Sequence, residues 1–153
     1  MDKYKAVEKL LYNYKMSEIS IENMKEEIKR LEREDGLTAI NYDSVKISPT
    51  FKISSSTEST MLSILEKIDY LRHSIERISE KLESIDRAME GLNEVERLVI
   101  EKRYIEGLQW WQVAHLVKYS EVHSKRIRKK AINKLVVGLY GENDTNMIPF
   151  ESK

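Results

Sequence analysis

The sequence predicts an all-α fold, with long heptad-patterned helices forming a helical hairpin or coiled coil, followed by a C-terminal helix-turn-helix bundle. Three observations carry this reading. The 153 residues include only 5 glycines and 2 prolines, so few breakers interrupt the chain. Charged residues make up 34% and apolar residues 41%, a balance that suits helices with one solvated face. Apolar residues also recur at helical spacing through two long stretches, and a third, C-terminal stretch resolves into short helices separated by turn residues.

The first helix spans 1–34. Val7, Tyr14, Ile21 and Ile28 fall every seventh position, with Leu10, Met24 and Leu31 beside them, the pattern of a helix with one apolar stripe. Ser17 interrupts the stripe and marks a possible break into two shorter helices. Residues 35–56 contain Gly36, Pro49 and a serine cluster, as expected of a linker.

The helix over 57–91 carries the clearest signal. Met61, Ile64, Ile68, Leu71, Ile75, Ile78, Leu82, Ile85, Met89 and Leu92 alternate spacings of three and four without exception. At about 1.5 Å per residue such a helix is about 50 Å long. Its stripe needs another helix to cover it, from the same chain or from a second copy. Ile64, Ile68, Leu71, Ile75, Ile78, Leu82 and Ile85 are therefore the candidate oligomerisation residues, and a homodimer is the expected assembly.

Residues 92–140 read as the helix-turn-helix bundle. Asn93 followed by Glu96 fits a capping box at a helix start, and that helix stops near Gly107. A second helix runs from about Trp110 to Val117, Lys118 and Tyr119 make a tight turn, and Ser120 caps a last helix reaching about Leu139. Leu98, Val113, Ala114, Leu116, Ile127, Ala131 and Leu135 form the expected core, joined by Trp110. Trp111 either covers the junction with the long helix or meets a phosphate. Residues 141–153 are expected to be a tail without fixed structure.

Charge is segregated along the chain. Formal net charge is zero, yet between positions 118 and 134 seven basic residues face the single acid Glu121. A strong local positive field therefore survives in a neutral protein, and its natural partner is double-stranded DNA. Ser120, Glu121, Val122, Lys125, Arg126 and Lys129 fall on or near the groove-facing side of the last helix, while Arg128, Lys130 and Lys134 meet backbone or solvent.

Other function classes find no support in the residues. There is no cysteine, so no thiolate metal site or disulfide framework is expected, and the reducing cytoplasm is the expected compartment. His73, His115 and His123 are too scattered to hold a metal. No nucleophile–base pairing or glycine-rich phosphate loop occurs, so neither enzymatic activity nor a cofactor is expected. The N-terminal MDKYKAVEKLLYNYK lacks the apolar run of a signal peptide, and no stretch approaches a membrane span.

The stretch LNEVERLVIEKRYIEGLQWWQVAHLVKYSEVHSKRIRKKAINKL resembles region four of bacterial sigma factors, and more closely phage late-transcription regulators of the ArpU and RinA type. The resemblance rests on Arg103 and Tyr104, Gly107, Trp110, the Val113–Ala114 pair, the Tyr119–Ser120 turn, and Ala131 with Leu135. It departs at Gln109, where a Ser or Thr cap is usual, at Gln112, which replaces a common glutamate, and at Lys118, where sigma factors prefer glycine. The resemblance implies a phage or prophage regulator that binds DNA at a promoter and engages host RNA polymerase. Two alternatives use the same parts: a small terminase subunit recognising packaging DNA, and a coiled-coil adaptor binding RNA polymerase without DNA contact.

Overall fold

The computed structural model describes residues 2–34 and 55–141. The expected linker, except its last two residues, and the expected tail beyond Gly141 lie outside the described residues. The described residues are helical, with no strand among them: α1 (Lys3–Tyr12), α2 (Tyr14–Glu34), α3 (Ser55–Glu90), α4 (Glu94–Ile100), a π-helical turn (Glu101–Ile105), α5 (Trp110–Val117) and α6 (Glu121–Tyr140). None of these helices is long and apolar enough to cross a membrane. The all-α expectation holds.

Asp2 starts α1 by accepting the Tyr4 N–H at 3.0 Å, the usual use of an aspartate at a helix N-terminus. The break expected at Ser17 falls instead at Asn13, which closes α1 with φ −89° and ψ −3°. Asparagine's side chain competes for backbone groups and tolerates such turn geometry. Ser17 sits inside α2, its N–H bonded to the Asn13 carbonyl at 2.8 Å.

The chain divides into two compact units, one of residues 18–80 and one of 1–17 with 81–153. In the first, α2 and α3 pack as a helix pair. Ile28, Leu31 and Ile68 are buried together, and Ile64, Leu71 and Ile75 pack partly buried against them. Four of the candidate oligomerisation residues thus pack within their own chain, Ile68 buried and Ile64, Leu71 and Ile75 partly so. Glu27 with Lys67 at 3.5 Å and Glu32 with Arg72 at 3.1 Å add exposed ion pairs between the two helices. Such pairs contribute little to stability and mainly favour one register.

The second unit gathers α1, the end of α3, α4, the π turn, α5 and α6. Its core holds Val7, Leu11, Ile85, Met89, Leu92, Ile100, Tyr104, Ala131, Ile132, Leu135 and Val136, with Leu82 against it. Leu82 and Ile85 therefore serve this core, while Ile78 is only half-buried. Of the expected core, Val113, Ala114, Ala131 and Leu135 are buried and Leu98 and Ile127 half-buried. Leu116 is a correction: it is 47% exposed. α6 buries two adjacent rows of side chains rather than one, because α4 and α1 both pack on it. That second partner is why Ile132 and Val136 are core residues although a three-helix reading leaves them out.

Two polar contacts fasten this unit. The Asn93–Glu96 capping box is present, with the Asn93 side chain accepting the Glu96 N–H at 2.8 Å and the Glu96 carboxylate accepting the Asn93 N–H at 3.2 Å. Glu96, 6% exposed, also receives the Lys134 ammonium at 2.8 and 2.9 Å. Lys134 therefore ties α6 to α4, with its side chain still partly exposed.

Candidate nucleic-acid interface

The turn between α5 and α6 has the geometry that the sequence leads one to expect. Lys118 ends α5 in the left-handed region at φ 62°, and its N–H bonds back to the Ala114 carbonyl. A lysine there costs on the order of 1 kcal/mol relative to glycine, whose lack of Cβ removes the clash. Lys118→Gly is accordingly expected to raise stability by about 0.5–1 kcal/mol, because relief of this clash outweighs glycine's extra unfolded-state freedom. A thermal melt of the two proteins checks this, and an unchanged or lowered midpoint counts against a strained turn.

Ser120 then caps α6, its Oγ accepting the His123 N–H at 3.1 Å. Ser124, fully buried, donates its hydroxyl to the Ser120 carbonyl at 2.8 Å. At the start of α5, the Gln112 side chain accepts the Gln109 N–H at 2.9 Å. The departures from the sigma-like pattern at these two positions thus supply their own capping contact.

With Ser124, Ala131, Ile132, Leu135 and Val136 turned into the core, the opposite side of α6 faces outward. Ser120, Glu121, Val122, Lys125, Arg126, Lys129 and Lys130 are all exposed. Val122, Lys125, Arg126 and Lys129 stand at i, i+3, i+4 and i+7, one face of a helix. The structure brings together seven of the eight candidate DNA-binding residues.

Arg128 is the eighth, and it is set differently from the others. It is only partly exposed, its guanidinium lies 5.3 Å from the centroid of the Trp110 ring, and its Nε is buried without a hydrogen-bond partner among the described residues. At 100° per residue, position 128 falls between the two buried rows, about 20° from Leu135 and about 40° from Ser124 and Ile132, so its side chain turns inward. Burial pushes the Tyr4 phenol upward, opposed by the neighbouring Arg128 guanidinium. Tyr104 donates to Glu8 at 2.7 Å, and burial together with that bond holds its phenol far above the ordinary range.

Trp110 is not the enclosed core residue expected. It is half-buried, with Arg103 at 5.1 Å, Arg128 at 5.3 Å and Lys125 at 5.9 Å from its ring centroid, distances at which a cation is attracted to the ring face. Arg103 also donates to the Leu108 carbonyl at 2.9 Å. These residues come from the π turn, α5 and α6, so no sequence spacing announces their meeting. The π turn inserts one extra residue per turn, seen in the Glu106 N–H bonding to the Glu101 carbonyl at 2.9 Å. Trp111, beside Trp110, is 64% exposed.

A family model described as "Protein of unknown function (DUF722)" matches residues 3–136. The chain belongs to this family. The DUF722 match begins in the first turn of α1 and ends inside α6, so it takes in both the helix pair and the complete outward face. No curated protein and no solved structure matches the chain.

Proposed function

We propose that this protein binds double-stranded DNA by laying α6 in the major groove, and that it does so as a phage or prophage transcription regulator at a promoter. The observation that carries the DNA reading is the sorting of cations on α6. Lys125, Arg126, Lys129 and Lys130 stand exposed on the outward side, Lys125 with its ammonium 5.9 Å from the Trp110 ring, while Lys134 is held by Glu96 and the half-buried Arg128 lies against Trp110. A helix following a tight turn and a serine cap, with exposed cations facing out, is the arrangement by which such bundles reach base edges and phosphates. The regulatory part rests on the sigma-like sequence pattern, as does engagement of host RNA polymerase.

Selection from a random duplex pool, followed by a salt titration on the recovered site, tests the DNA reading. If all four outward cations neutralise phosphates, log affinity falls against log salt with a slope of about −3.6, at about 0.9 per phosphate. Failure to recover any bound duplex, or a flat salt response, defeats it. A reporter driven by a promoter that contains the recovered site tests the regulatory part. Unchanged output on expression of the protein defeats that part and leaves DNA binding standing.

A further inference from the structure

We infer that Val122 reads the 5-methyl group of a thymine, making it a residue that determines which DNA sequence is bound. The inference rests on the DNA reading above and adds a base preference to it.

Val122 is the second residue of α6 and is 62% exposed. Ser124, two positions on and on roughly the opposite side of the helix, is fully buried, which puts Val122 near the centre of the outward face. Around it on that face stand Lys125, Arg126 and Lys129, all exposed. A valine there adds nothing to the core and is a poorer helix former than alanine. In a helix its branched side chain is nearly confined to one rotamer, so its two methyl groups are held in place.

A recognition helix meets base edges with its N-terminal residues, and Val122 lies in the first turn. The neighbouring cations are long and flexible and reach outward to phosphates or guanine edges. Valine is short and can touch only what lies directly beneath the helix. Among the groups that the four base pairs present in the major groove, the thymine methyl is the apolar one. A rigid apolar group at the centre of a cationic reading face therefore selects a T·A pair beneath it.

The experiment replaces each thymine of the selected site, one at a time, with deoxyuridine, which lacks only the methyl. It compares the full-length protein with Val122→Ala by equilibrium binding. One position is expected at which deoxyuridine weakens the parent protein about three- to fivefold, the loss of roughly one buried methyl contact. Val122→Ala should bind thymine and deoxyuridine duplexes equally at that position and keep its response at the others. Because Val122 is exposed, the variant should melt no lower than the parent. A selected site without thymine, a parent indifferent to every substitution, or a Val122→Ala protein with the same deoxyuridine response each overturns this inference while DNA binding stands. If no duplex is bound at all, the DNA reading falls and this inference falls with it.

Discussion

Reversing two charges together, as Lys125→Glu and Arg126→Glu, is expected to abolish specific DNA binding while the helical circular-dichroism spectrum stays unchanged. Both side chains are exposed, and neither belongs to the core of the unit. Lys125 gives up only a marginal contact 5.9 Å from the Trp110 ring. Each cation contributes either a base contact of about 1–3 kcal/mol or a phosphate contact that steepens the salt slope by about 0.9. Losing both and adding two repelling carboxylates should lower affinity on the order of 10²- to 10⁴-fold. Competition binding against non-specific duplex reads the loss. Unaltered affinity in a folded double variant would place the DNA contact elsewhere than α6.

Ile68→Asp should be the most damaging single change in the helix pair. Ile68 is 4% exposed and packs with Ile28 and Leu31. The substitution removes a buried aliphatic side chain, a loss of about 2–5 kcal/mol. It also brings in a carboxylate that must either be desolvated without a partner or push the helices apart, which costs several kcal/mol more. Denaturant titration should therefore show a much earlier transition and a smaller helical signal. Glu76→Ala, at an exposed position of the same helix, is the control and should change stability by less than about 0.5 kcal/mol. Equal, small effects from both would mean that the seam is not packed.

The local signals were readable in advance because they follow from helix and turn geometry alone. The unbroken three-and-four stripe of α3, the Asn93–Glu96 capping box, the tight turn at Lys118 and the Ser120 cap each depend on residues within a few positions of one another. What escaped depends on which distant elements meet. Ile132 and Val136 are buried because α1 joins α4 on α6, and α1 is more than a hundred residues away in sequence. Arg128 resembles its neighbours as a cation but turns inward to Trp110 and Tyr4. Lys134 finds a carboxylate 38 positions earlier. For the candidate interface, spacing identified the outward stripe; only the folded chain separates the cations that face out from those that hold the bundle together.

The inward set of Arg128 has a consequence for how the outward face meets a ligand. With the Arg128 guanidinium held over Trp110 on one flank, and Lys134 bonded to Glu96 a turn and a half further on, α6 cannot roll about its own axis without breaking contacts at two points along its length. The angular position of Lys125, Arg126 and Val122 is therefore fixed before any encounter. Ordering of this backbone belongs to folding, and association bears only the freezing of a few long side chains. If α6 meets a duplex as proposed, such a surface discriminates by fit, because a mismatched duplex is not accommodated by a small rotation of the helix and must be deformed or rejected.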